Sequence, residues 1–242
     1  MAMELKVSAE QRQFALDTLQ SDIDFIKTCK LGKEKVYKKV CKVQTAEAPN
    51  IKFLGVQGTV EIKSDIKTVL AAVTKYGCDV DAKSPKQVLE STVFQKFYFF
   101  TDEDKKQYEA AQNKEPMTEF AFYTHSAARS PAPKLVSHRD FVGTGVCKME
   151  ADGKKCYLAA RNLPYEEKAG KEYIRGDLKV QFIELEQTSD DTVKLTQFVL
   201  ADPAGSIPSW IYNASLDARN ELLVLLKGFV EGDIKPEYDV EK

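Results

Sequence analysis

The hydrophobic positions change period several times along the chain, and each change marks an element. Ser8-Ala9-Glu10-Gln11 has the form of a capping box, and Leu16, Leu19, Ile23 and Ile26 then share one helical face as far as Leu31-Gly32. Two strand-like runs follow, Glu34 to Val43 and Ile51 to Lys63, with Ala48-Pro49-Asn50 as the turn between them. In the second run Leu54, Val56, Gly58, Val60 and Ile62 alternate with Gly55, Gln57, Thr59 and Glu61, which is period two. Ser64 is placed to cap a short helix that turns Ile66, Val69, Leu70 and Val73 inward. Val88 to Phe100 predicts a further strand, and Thr101 to Glu115 a charged, solvated segment, helix or loop. Five more strands are expected at Met117 to Ser126, Lys134 to Met149, Lys154 to Asn162, Glu172 to Glu186 and Thr192 to Ala201, with turn residues between them.

The last periodic stretch organises the rest. Asp202-Pro203-Ala204-Gly205 is turn chemistry, Ser206 is a candidate N-cap, and Pro208 falls in a first turn that tolerates a missing N–H. Ile207, Ile211, Ala214, Ala218, Leu222, Leu225 and Phe229 recur at helical spacing, and Leu216, Leu223, Leu226 and Val230 form a second row. Gly232 stops the helix. A helix apolar on two sides must lie across an apolar surface. The lone tryptophan, Trp210, is expected to be a packed anchor at its start, leaving the Leu222 to Val230 end free to move. The fold class is α+β: a curved antiparallel sheet of about nine strands, an N-terminal helix and a long C-terminal helix. Residues 1–231 form a single domain and 232–242 a flexible tail.

Composition narrows the function classes. The chain has 242 residues, 43% hydrophobic and 30% charged, which is globular usage. A net charge of −2 leaves no electrostatic footprint for nucleic acid. Five cysteines without a CxxC pair or a nearby histidine argue for reduced thiols in a cytoplasmic protein, against a disulfide framework or a metal site. No apolar run is long enough to span a membrane, and Met1 to Lys6 lacks a signal pattern. His125 and His138 lie in strand-like sequence, no nucleophile or nucleotide motif appears, and no cofactor is expected. Gly55-Val56-Gln57-Gly58 and Gly143-Thr144-Gly145 fall inside strands, where glycine marks a bend or a bulge.

Four pieces in order carry a resemblance: Val136-Ser137-His138-Arg139-Asp140-Phe141-Val142, Asp152-Gly153, Tyr173-Ile174-Arg175, and Asp202 to Asn213. Together they resemble the StAR-related lipid-transfer (START) family, most closely from Leu135 to Val230. The resemblance implies a helix-grip fold, in which the sheet grips the C-terminal helix around a tunnel for one lipid. It implies a non-enzymatic monomer that touches membranes transiently and needs no metal. The loops at Glu150 to Lys154 and Asn162 to Gly170 would border the mouth.

This chain departs from the family where His138 replaces a proline and Tyr76-Gly77-Cys78-Asp79 replaces a Trp-Asp pair. Ser126 and Gly145 stand where the sterol carriers have a buried acid and an arginine, so a phospholipid-like ligand is favoured over a sterol. Gln181 matches a headgroup-facing glutamine of the phosphatidylcholine carrier, with Lys179 on the same face. Alternation argues otherwise, because Leu178, Val180 and Phe182 form the more apolar face; a bulge at Gly176 would reconcile the two. The candidate lipid contacts therefore come from both faces: Leu178, Lys179, Val180 and Gln181, with Phe141, Arg175 and Phe198 from the neighbouring strands. The terminal helix adds Trp210, Leu216, Leu223 and Leu226. Arg139 and Arg175 either meet a phosphate or form ion pairs with Asp140 or Asp177. Two alternatives stand beside lipid transfer: a ligand sensor acting through a protein partner, and a cyclase or hydrolase on the same fold.

Overall fold

Ser8 opens the first helix, α1 (Ala9–Thr28), with both halves of the capping box made: the Gln11 amide donates to Ser8 Oγ, and the Ser8 amide to Gln11 Oε1. The computed structural model describes residues 8–77, 80–81, 92–130, 137–163 and 170–233. α1 stops short of Leu31-Gly32, and Lys30–Leu31 form the short strand β1. The run from Glu34 to Val43 is a hairpin, β2 (Lys35–Tyr37) and β3 (Cys41–Glu47), rather than one strand. Its turn takes Lys38 and Lys39 through φ of 49° and 61°, and the Val40 amide donates to the Tyr37 carbonyl at 3.0 Å. Such a turn favours Asn-Gly, so two lysines give no sequence signal for it.

β4 (Gly55–Lys63) shows the expected alternation. α2 (Ile66–Tyr76) is capped by Asp65 in place of Ser64, through the Thr68 amide at 3.0 Å. After β5 (Val80–Asp81) and β6 (Thr92–Phe99), the charged segment is a helix, α3 (Asp102–Gln112), with three carboxylates in its first turn where the helix dipole favours them. The meander follows as β7 (Glu119–Ala128), β8 (His138–Met149), β9 (Lys155–Asn162), β10 (Tyr173–Arg175), β11 (Asp177–Ser189) and β12 (Thr192–Asp202). The parts of the expected strands at 88–91 and 134–136, and the tail beyond Asp233, lie outside the described residues.

The described strands make one curved sheet in the order β1-β3-β4-β12-β11-β9-β8-β7-β6-β5, with β2 on β3 and β10 on β8. All pairings are antiparallel except β10 with β8, which is parallel. α1 covers one face, over Val146, Val180, Phe182, Phe198 and Leu200. Beneath α1 the buried Asp22 pairs with Arg161, and Arg12 grips Asp104 at 2.8 Å. The larger core lies on the other face, under α2 and the C-terminal segment.

That segment is not one helix. It divides into α4 (Ser209–Ala214), a 3₁₀ turn (Asp217–Asn220) and α5 (Glu221–Glu231). Ser215, Asp217 and Asn220 are poor helix formers, and Ser215 Oγ and Asn220 Nδ2 donate to the carbonyls of Tyr212 and Asp217 three residues back. α4 starts after Pro208, with no side-chain cap from Ser206. Gly232, at φ 80°, ends α5. α5 rests almost on the backbone of β4: a Cβ at Gly58 would stand 2.0 Å from Asn220 Oδ1 and 2.7 Å from Leu223. Gly58 is thus a close-approach glycine, not a bend.

Candidate functional site

The concave side of the sheet leaves a small cavity of about 30 Å³, room for about one water, between the strands, the end of α2 and the start of α5. Phe97, Phe122, Phe141, Leu158, Leu178 and Ile183 come from five neighbouring strands, and Val73 and Leu222 from the two helices. Four neutral polar side chains share the lining: Gln95, Thr124, Ser126 and Gln181. Gln95 donates to the Gly77 carbonyl at 2.7 Å, while the buried Thr124 Oγ1 has no partner among the described residues. No charged side chain is among the described lining residues.

Alternation places most of these residues. Gln95 and Phe97 share a face of β6; Phe122, Thr124 and Ser126 share one of β7. β11 obeys the rule only after a break. The pairing with β12 slips between Leu178 and Val180, and this extra residue turns Leu178, Gln181 and Ile183 to the cavity. Val180 and Phe182 then face α1. A bulge does reconcile apolar pattern and glutamine, but at Lys179, three residues beyond Gly176. Gly145 shares that concave face, but Phe122 and Ala159 fill the space a side chain would need.

Three of the sequence-predicted residues line the cavity: Phe141, Leu178 and Gln181. Leu216, Leu223 and Leu226 are buried behind it, in the core that holds α5 on the sheet. Val180 and Phe198 lie on the opposite face, under α1. Lys179 pairs with Asp177. Trp210 is 72% exposed, so it is no packed anchor. Tyr212 takes that place: buried, edge-on to Phe53, with its hydroxyl donating to the Ala201 carbonyl at 2.7 Å. Gln95, Phe97, Phe122 and Thr124 were not singled out from sequence, although extending period two from Ser126 would have reached the two on β7.

The arginines have structural partners. Arg175 makes two hydrogen bonds to the buried Asp140, at 3.1 and 2.8 Å, and His125 Nε2 lies 3.2 Å from the same carboxylate. Arg139 is buried and donates to four carbonyls, those of Ser137, His138, Pro203 and Ala204. Its burial pushes the guanidinium pKa below its ordinary value. His138 Nδ1 accepts from the Ser130 amide at 3.0 Å. Neither histidine is among the described residues of the lining.

Residues 102–220 match the family model of the START domain. No curated protein matches the chain. Among solved structures, human StAR-related lipid transfer protein 5 superposes with a TM-score of 0.65 over 94% of this chain and 99% of its own, at 15% identity. A STAR-related lipid transfer protein from Xanthomonas axonopodis gives 0.60, with 84% and 99% covered, at 20% identity. Human STARD10 gives 0.59, with 95% and 83% covered, at 12% identity. The fold is the helix grip, and residues 102–220, about half of the chain, are similar to the START domain.

Proposed function

We propose that this protein binds one amphipathic lipid in the concave cavity and carries it between membranes, without catalysing a reaction on it. The observation that carries the reading is the lining: aromatic and aliphatic walls with a few neutral polar groups and no described charge. Burying a methylene is worth about 0.8 kcal/mol, so a sixteen-carbon chain gains roughly 12 kcal/mol over water. A bilayer offers the chain nearly the same, so transfer is close to balanced and its rate depends on opening the cavity. At about 30 Å³ per methylene, close to the share of one water in the liquid, a lipid with two such chains needs on the order of 1,000 Å³. The closed cavity, at about 30 Å³, holds only a small fraction of that, so loading must spread the elements that line it, Leu222 at the start of α5 among them.

The ligand is phospholipid-like rather than a sterol. Ser126 and Gly145 carry no charged pair, and Gln181 and Gln95 offer amides that suit ester carbonyls. A phosphate stays at the mouth, since burying it against neutral walls is costly. Trp210 lies in the first turn of α4, just beyond the Pro203–Gly205 turn. Asp177 pairs with Asp202 there, one residue from the cavity-lining Leu178. An exposed indole so placed suits transient membrane contact. The protein acts as a monomer in the cytoplasm, without a metal or cofactor.

The test is transfer of fluorescent lipid from donor to acceptor vesicles. Acceleration is expected for phosphatidylcholine or another two-chain lipid and little for cholesterol. Transfer no faster than with an inert protein, for phospholipids, sphingolipids and sterols alike, would sink the carrier reading.

A further inference from the structure

Residues 30–42 hold six lysines and one glutamate in a chain of net charge −2. The same stretch holds Leu31, Val36 and Val40, three of the five large apolar side chains exposed among the described residues; Val36 is 65% exposed. Lys30, Lys33, Lys38, Lys39 and Lys42 are all exposed as well. Val36 lies opposite Lys42 across the β2–β3 pair, on the face turned away from the buried Cys41 and Val43. The Lys38-Lys39 turn holds two adjacent lysines at positive φ. Exposed valines among lysines suit an interface that is both anionic and apolar, which is the surface of a membrane containing acidic lipids.

The inner face of the hairpin is tied to the start of α5. Tyr37 Oη donates to Glu221 Oε2 at 2.9 Å, Lys38 Nζ lies 2.6 Å from the same carboxylate, and Lys35 pairs with Asp217 at 2.7 Å. The residue after Glu221 is Leu222, which lines the cavity. Lys30, Lys33 and Lys39 pair with no carboxylate among the described residues.

We propose that the 30–42 hairpin docks on the surface of a membrane rich in anionic lipid, and that lipid phosphates and carboxylates there take Lys35 and Lys38 from Asp217 and Glu221, freeing the start of α5 to open the cavity. Docking stands on the hairpin alone. The opening step rests on the lipid-carrier reading above.

The test is co-sedimentation of the whole chain with vesicles of phosphatidylcholine, with or without phosphatidylserine, followed by transfer between the same vesicles. Wild type should bind the phosphatidylserine vesicles at least tenfold more tightly, an advantage that salt erases. Each lysine at such a surface is worth about fivefold, so Lys33→Glu with Lys39→Glu, which breaks no ion pair, should weaken binding by roughly 25-fold or more. Val36→Gln, which keeps the charge, should also weaken vesicle binding while leaving retention on heparin nearly as strong. Asp217→Asn with Glu221→Gln should speed transfer between neutral vesicles and reduce the acceleration by phosphatidylserine. Thermal melts confirm that each variant folds. Equal binding to both vesicle types, or no loss in the double lysine variant, would overturn the docking. Heparin and vesicle binding falling together in Val36→Gln would point to a soluble polyanion instead. Unchanged transfer in the Asp217/Glu221 variant would overturn the opening step. Vesicle binding needs no lipid in the cavity, so intact docking without any transfer would count against the carrier reading alone.

Discussion

Arg139 donates from Nε to the Pro203 carbonyl at 2.5 Å, joining the strand Arg139-Asp140-Phe141-Val142 to the turn that launches α4. The same guanidinium reaches the Ala204 carbonyl at 3.1 Å, and Ala204 and Gly205 both sit at positive φ. Ile174 lies beside Gly205 and pairs with Arg139 between strands, while Arg175 holds Asp140. Three of the four sequence pieces that resemble the START family are therefore one cluster in space. Its work is to fix the turn and the sheet end next to Phe141 and Leu178.

Arg139→Ala should destabilise the fold by about 2–4 kcal/mol, because it strips several buried carbonyls of a charged donor. Arg139→Lys should recover only part of this, since an ammonium cannot span carbonyls from two segments as a planar fork does. Urea unfolding monitored by circular dichroism checks both. A loss below about 0.5 kcal/mol for the alanine variant would remove the cluster from the account.

Gly58→Ala should cost roughly 1–3 kcal/mol by overpacking, because the new methyl meets Asn220 and Leu223. The strain falls on the contact between α5 and β4. Amide exchange from Leu222 to Val230 is expected to quicken before the global unfolding midpoint moves in proportion.

Asp22 supplies a pH prediction. Its carboxylate is buried beneath α1, and burial outweighs the hydrogen bond from Arg161, pushing its pKa up to about 6 from an ordinary 3.8. A folded-state pKa above the unfolded value gives stability that is fully present below about pH 3.8 and lost as pH rises through about 6. Between pH 5 and 7 this residue therefore makes stability fall as pH rises. Asp22→Asn should flatten that slope in urea titrations, and an unaltered slope would assign it elsewhere.

Trp210 reports on membrane contact because it is the only tryptophan. Free protein should show a solvent-like emission quenched readily by iodide, and vesicles should shift it to the blue and protect it. Trp210→Ala should leave stability within about 0.5 kcal/mol, as for an exposed side chain without special contacts, while slowing transfer several-fold. Equal transfer by the variant would remove the indole from the membrane step.

Much of the fold was legible because its signals are local. The Ser8–Gln11 capping box and the alternation in β4 needed nothing beyond the sequence. The site was less legible, because its decisive features are relations between distant segments. The slip in β11 at Leu178 to Val180 depends on its partner strand, and it decides whether Gln181 or Val180 reaches the cavity. Gly58 reads as a bend until Asn220 and Leu223 are seen against it. The break before α5 and the exposure of Trp210 were hidden by an apolar periodicity that continues through Ser215 to Asn220. The Lys38-Lys39 turn carries no turn residue at all, so a hairpin passed for a strand.

The central claim is that a lipid chain occupies the concave cavity, and the most direct measurement is photo-crosslinking. The protein would be loaded from vesicles with a phosphatidylcholine bearing a diazirine near the end of one acyl chain, irradiated, and sequenced by mass spectrometry. One lipid per chain is predicted, with adducts at Phe122, Phe141, Leu158, Leu178, Ile183 or Leu222. Adducts confined to Val180, Phe182 or Phe198 under α1, or no adduct above an inert protein, would contradict it.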